Sequence, residues 1–177
     1  MNREDIIAMA REVWKESDLT PELLCGLFAY DNGDLRWSVK LSNRVLVGSI
    51  AGSKDGNGYI QIMINGKRYK AHRLIYAMHI GSFPPVIDHI SGKRDDNRIE
   101  NLRPATLEEN ARNAKKPDRS TSGAKNVYWN NQRKKWMVAI TVDKRQRHIG
   151  YFDTVEAAKN SAIAARNEYH KDFARHV

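Results

Sequence analysis

The sequence predicts an α+β protein built in two small parts, and three observations predict it. Short strand-like runs punctuated by turn residues begin at Leu27. A strand, loop, strand and helix pattern occupies Val86 to Asn113. Three further strand-like runs precede an Ala-rich amphipathic stretch near the end. A chain of 177 residues, 41% of them hydrophobic, can hold one ordinary domain or two small ones and is too apolar to stay disordered. No apolar run approaches bilayer-spanning length, and the start, MNREDIIAMAREVWKESD, lacks the continuous apolar core of a signal peptide. No membrane partner is expected. Cys25 is the only cysteine, which excludes an internal disulfide framework or a zinc ribbon and suits a reducing cytoplasm.

In chain order, Ile6, Met9, Ala10, Val13 and Trp14 recur at helical spacing and predict an amphipathic helix over 3–16. Thr20-Pro21-Glu22 predicts the cap and first turn of a second helical segment through Leu24, so 1–26 reads as an N-terminal helical segment. LFAY and LRWSV flank the turn DNGD, and YIQIMI runs into NGKRY, which predicts two hairpins; Gly48, Gly52, Gly56 and Gly58 read as turns between them. Residues 71–81 read as a helix closed by Gly81. Pro84-Pro85 forces an extended entry into the strand VIDHI, SGKRDD is a loop, and NLRPA ends in a strand. Thr106 with Glu109 three residues on fits a capping box, so a helix begins just after Thr106 and carries Asn110. KKPDRSTSG, residues 115–123, reads as a linker. NVYWN, KKWMVAITV and RQRHIGYF then predict three strands, and 153–174 a helix with Ala157, Ala158, Ala162, Ala165 and Tyr169 in register.

Charge divides the chain as sharply as pattern does. Residues 1–111 hold 15 Lys/Arg against 15 Asp/Glu, whereas 112–177 hold 15 against 6, the whole excess of nine. A basic part joined to a neutral one points to a polyanion-binding module attached to something else. The chemistry sits in the neutral part. Asp88-His89 precedes Asn101 and Asn110, nine residues apart. That set supplies a hard oxygen ligand, a base near neutral pH and two amides that can coordinate or orient. One divalent metal acting on a phosphodiester needs those groups. Strand, loop, strand and helix around one metal form a ββα arrangement.

These residues resemble a pair of families. LFAYDNGDLRW, GYIQIMINGKRYKAHRLIYAMHIGSFP, IDHISGKRDDNRIENLR and EENARN make residues 27–114 similar to HNH endonucleases of the phage and homing type, with the ββα-metal fold. NVYWNNQRKKWMVAI, HIGYFDTVEAA and the terminal DFA make 124–177 similar to the APETALA-two/ethylene-response-factor DNA-binding domain. The resemblance implies a metal-dependent endonuclease acting on double-stranded DNA. Asp88 and Asn110 match the metal ligands, for Mg²⁺ or Mn²⁺; His89 matches the general base and Asn101 the residue that orients it. Asn97 could take that orienting role instead. His72, in the HRL signature, reads as a packing or loop-fixing histidine. Asp88 and His89 are adjacent, so an ideal strand would send them to opposite sides. One active site per chain implies nicking, or double-strand cleavage only through a dimer or two successive events, with monomer or dimer left open.

For the second part, alternation turns Val127, Trp129, Trp136, Val138 and Ile140 toward the helix. Tyr128, Asn130, Lys135, Met137, Ala139, Thr141, Gln146 and His148 then form the open face that the family resemblance assigns to DNA. Arg133, Lys134, Lys135, Lys144, Arg145 and Arg147 read as phosphate contacts. Trp129 and Trp136 read as core. The family's usual Gly before Val127 is Asn126 here, so no base contacts carry over. The division of labour expected is a catalytic part with little grip on DNA and a basic sheet that delivers it. The competing reading is a non-catalytic, sequence-specific DNA-binding regulator with a degenerate nuclease fragment.

Overall fold

The computed structural model describes residues 1–13, 15–113 and 122–174. The chain divides into two compact units, Met1–Pro104 and Ala105–Val177. The architecture is α+β, with helices and several small sheets.

In the first unit, helix α1 (Arg3–Arg11) starts at a capping box in which the Asn2 side chain accepts from the Asp5 N–H and the Asp5 carboxylate accepts in return. It stops before the residue 16 expected from periodicity. The Asn65 amide, from a distant hairpin, donates to the carbonyls of Arg11 (2.6 Å) and Val13 (3.1 Å), which a further helical turn would have engaged. The chain instead makes a 3₁₀ turn at Glu16–Asp18. Helix α2 (Pro21–Leu27) follows, capped by Thr20 and three residues longer than expected. Ile6, Ala10, Val13, Leu23, Leu24 and Leu27 are buried in one core with Phe28, Leu35, Trp37, Leu74 and Ile75. Residues 1–26 are thus an integral wall of the unit. Each fully buried leucine here contributes about 1.5–3 kcal/mol.

Strands β1 (Phe28–Asp31) and β2 (Asp34–Trp37) pair antiparallel around Asn32-Gly33, both at positive φ, as a tight hairpin of this twist requires. Strands β3 (Ser53–Lys54), β4 (Ile60–Ile64) and β5 (Lys67–Lys70) form a three-stranded sheet, with Asn65-Gly66 at the second turn. Helix α3 (Ala71–Ile80) runs on directly from β5 and ends at the left-handed Gly81, as expected. Strand β6 (Val86–His89) pairs with β7 (Leu102–Ala105), and the loop between them closes through a 3₁₀ turn at Ile99–Asn101. The Tyr30 hydroxyl accepts from the Ile99 N–H (3.1 Å) and ties that loop to β1.

The second unit opens with α4 (Leu107–Asn113), whose Thr106–Glu109 capping box is formed in both directions. This helix was expected to close the first part at 114. It packs on a 3₁₀ turn at Lys171–Phe173, and Glu108 lies 3.4 Å from Lys144, so it groups with the second unit. Of the expected linker 115–123, all but Ser122 and Gly123 lies outside the described residues. Strands β8 (Val127–Asn130), β9 (Lys135–Val142) and β10 (Arg145–Phe152) form an antiparallel sheet in the order β10-β9-β8. Helix α5 (Val155–His170), capped by Thr154, packs on it through Ala158 and Ala162 against Val127 and Val138. It ends before the expected residue 174 because Lys171 turns to φ 46. Asn126 adopts φ 69, which asparagine tolerates. Its side chain and the Lys125 carbonyl both accept from buried Arg166 (3.3 and 2.7 Å).

Candidate active site

His89 ends β6 in a buried pocket. Its Nε2 lies 3.0 Å from Oδ1 of Asn97, also buried, in the loop beyond. An amide oxygen can only accept, so His89 Nε2–H donates and Nδ1 is left as the basic nitrogen. Burial pushes the His89 pKa below its ordinary value, against the Asn97 hydrogen bond and the charges of Asp88 and Asp96, which pull it up; Arg94 adds to the depression.

Of the two candidate orienting amides, Asn97 reaches His89. Asn101 serves the loop. Its Oδ1 accepts from the Ser91 N–H (2.8 Å), its Nδ2 donates to the Asp96 carbonyl (2.6 Å), and its own carbonyl accepts from Ile90 (2.9 Å). It therefore pins residues 91–96, and with them Asn97, to the end of β6.

Two aromatic rings complete the pocket, and neither was singled out as part of the chemistry from sequence. His72, at the start of α3, meets the His89 ring edge-to-face with centroids 4.8 Å apart. Tyr59 lies 5.4 Å from His72 and 5.9 Å from His89. His72 is buried and its Nδ1 has no hydrogen-bond partner. Burial first, then the neighbouring His89, Arg73 and Lys70, pushes its pKa down to about 3. It is neutral at physiological pH, and it acts by packing, as its place in the sequence suggests. Lys70 and Arg94 sit over the Tyr59 ring at 4.8 and 5.1 Å. The signal that could have found Tyr59 is positional: it immediately precedes β4, the strand that pairs with β5.

Asp88 is also buried, but it meets other partners. Its Oδ2 accepts from both Nε (2.9 Å) and Nη2 (2.8 Å) of Arg103 on β7. Adjacent strand residues face opposite sides, and the contacts of Asp88 and His89 follow that rule. Asn110 sits exposed on α4 of the second unit, where its backbone N–H donates to Thr106. Among the described residues no group of three or more His, Cys, Asp or Glu is placed to hold a metal ion. A carboxylate such as Asp88 is a hard oxygen donor, which suits Mg²⁺ or Mn²⁺ better than a zinc cage.

In the second unit, the register sets Tyr128 beside Met137 and Met137 beside Tyr151 on the open face. Arg133 lies 4.7 Å over the Tyr151 ring and His148 4.5 Å from it. Tyr151 was missed from sequence. Arg147 pairs in register with buried Ile140 and sits over Tyr169 of α5 at 5.2 Å, so it and Arg145 lie on the opposite face from His148. Lys135 is paired with Asp153 at 2.9 Å, and Lys134 lies in the exposed turn beside Asn130, whose Oδ1 accepts from the Arg133 N–H. Trp136 packs on the core, whereas Trp129 is 41% exposed at the strand tip and stacks edge-on against it at 5.1 Å.

Residues 69–112, which include His72, Asp88, His89, Asn97, Asn101, Arg103 and Asn110, match the family model described as HNH endonuclease. The buried strand-end histidine held by an amide thus lies inside an HNH endonuclease family domain. Protein 3.8 of Escherichia phage T7 is 35% identical over 112 residues, 60% of this chain and 92% of that protein. The chain belongs to the phage protein family that includes Protein 3.8. No solved structure matches it significantly. No described helix is long and apolar enough to cross a membrane.

Proposed function

We propose that the protein is a metal-dependent DNA endonuclease in which His89 is the general base. The observation that carries this reading is the buried Asn97–His89 hydrogen bond, which holds the ring through Nε2–H and leaves Nδ1 as the proton acceptor. His89 Nδ1 takes a proton from the attacking water, and Asn97 holds the ring through that transfer. Arg103 fixes the Asp88 carboxylate through two donors on one oxygen. Asp88 is the metal-ligating carboxylate, and the family frame adds Asn110 as a second ligand. Bound there, Mg²⁺ or Mn²⁺ would supply Lewis-acid stabilisation of charge on the phosphate and leaving 3′ oxygen. One such site per chain nicks one strand, leaving a 5′-phosphate and a 3′-hydroxyl. The open face of the second unit, with Tyr128, Tyr151, His148 and Arg133, holds the duplex.

The test is supercoiled plasmid with Mg²⁺ or Mn²⁺. Wild type is expected to produce nicked circles and His89→Ala to lose at least about a hundredfold in rate. Plasmid left intact by wild type under both metals, while a gel still shows binding, would make the chain a DNA-binding regulator instead.

A further inference from the structure

The first unit is close to neutral by count, yet its cations are not evenly spent. A groove of about 760 Å³ lies between the end of α1, the β4–β5 hairpin and the loop before β3. Arg11, Arg44, Lys54 and Arg68 line it, and Asp55 is the acid among its lining residues. The Asp55 carboxylate is already engaged by Lys70, and Lys54 by Asp95 at 2.7 Å. Arg11, Arg44 and Arg68 are exposed, and among the described residues none of them has a carboxylate within ion-pair distance. The site is built rather than incidental. Asn65 bonds the carbonyls of Arg11 and Val13, which locks the end of α1 to the hairpin that carries Arg68. Several acids of this unit are engaged elsewhere: Glu16 is paired with Arg73, Asp31 with Arg36, Asp96 with Arg98, and Asp88 with Arg103.

We propose that this groove binds the phosphodiester backbone of duplex DNA flanking the cleaved bond, so that the nuclease unit has its own grip on the substrate. Guanidinium forks match phosphate oxygens, and three unneutralised ones beside a groove favour a polyanion over an ordinary protein surface. Its place in the fold selects the polyanion. Lys54 on the rim is ion-paired to Asp95 in the loop that carries Arg94 and Asn97. Asp55 accepts from the Tyr59 N–H (3.0 Å), and the Tyr59 ring lies 5.9 Å from that of His89. Tyr59 thus neighbours both the His89 ring and Asp55 on the groove lining. Apolar Leu41 and Val45 on its wall suit the sugar edges between phosphates. This inference rests on the nuclease reading for the identity of its ligand, but its readout does not depend on cleavage.

The experiment uses the full chain carrying Arg11→Gln, Arg44→Gln and Arg68→Gln together. Binding to a labelled duplex of 40 base pairs is measured in chelator across a salt series. A control carries Arg3→Gln, Lys15→Gln and Lys40→Gln, the same charge loss at exposed positions that do not line the groove. Removing three phosphate contacts lowers the slope of log Kd against log salt by about 2 to 3, with the control changing by less than 1. With metal, the groove variant raises KM for plasmid and leaves kcat at saturation within about twofold, because no reacting group has moved. A groove variant that matches the control in slope and KM overturns the proposal, whether or not wild type cuts. A lowered slope in a protein that never cuts upholds the groove and sinks the nuclease reading. Equal melting temperatures of both variants show that each is folded.

Discussion

At the scale of residues, the pocket assigns two amides two different tasks, and pH separates them. His89 is depressed by burial and partly restored by Asn97. The free base therefore remains the dominant form down to and past the ordinary histidine range, and activity falls only as pH drops through the lowered pKa. Asn97→Ala removes a contribution that raises the pKa, so the acid limb of kcat/KM moves further down while kcat drops about 10- to 100-fold. Asn97→Asp puts a carboxylate on Nε2–H and moves the limb up. Asn101→Ala costs about 1–3 kcal/mol of stability through the buried loop bonds it abandons, and leaves the limb in place. pH–rate profiles of the three variants decide it; a limb that follows Asn101 instead of Asn97 reverses the assignment. The sequence put both asparagines in view because spacing alone cannot say which one folds back. That depends on Asn101 being consumed by Ser91 and Asp96, a set of bonds inside the loop.

At the scale of elements, most of the order along the chain was legible, because caps and turn residues write it locally. The Thr106–Glu109 box, the Asn32-Gly33 hairpin and the Gly81 stop all form where their chemistry says. Long-range contacts were not legible. The early end of α1 is imposed by Asn65, more than fifty positions away. The same holds for the glycines between the hairpins, which read alike as turns. A Cβ at Gly52 would sit 2.4 Å from the Gln61 carbonyl oxygen at φ +92, whereas one at Gly56 would meet nothing within 4 Å. Gly52→Ala is expected to cost about 3 kcal/mol or more from backbone collision and strain together. Gly56→Ala stays within about 0.5 kcal/mol of wild type or stabilises slightly. Denaturant midpoints of the two test this; equal midpoints would mean that Gly52 has room to relax.

At the scale of the whole molecule, the charge count led to a division of labour that the folded arrangement modifies. Summed charge in the first unit hides three arginines at one groove that have no carboxylate within ion-pair distance among the described residues, while Glu16, Asp31, Asp88 and Asp96 pair with other cations. Position, not count, decides what a charge can touch. The division of the chain matters too. Helix α4 packs on the turn at Lys171–Phe173, and Glu108 pairs with Lys144. A chain ended at Lys116 therefore strips α4 of both partners. Such a chain is expected to lose cleavage as well as affinity, even at low salt and saturating DNA, measured as initial nicking rates. Retained nicking with weakened binding would show that α4 holds its helix without them.

The place of α4 also bears on how proteins of this kind could trade targets. Exchanging the sheet of one for that of another at the Pro104–Ala105 junction carries Asn110 along with the new sheet. The residue proposed as a metal ligand is then inherited with the sheet of the second unit and not with His89. A crossover placed after α4 keeps the old ligand but leaves its helix to be refitted to a foreign Lys171 turn. The junction that looks natural in the sequence is the costlier one for the fold.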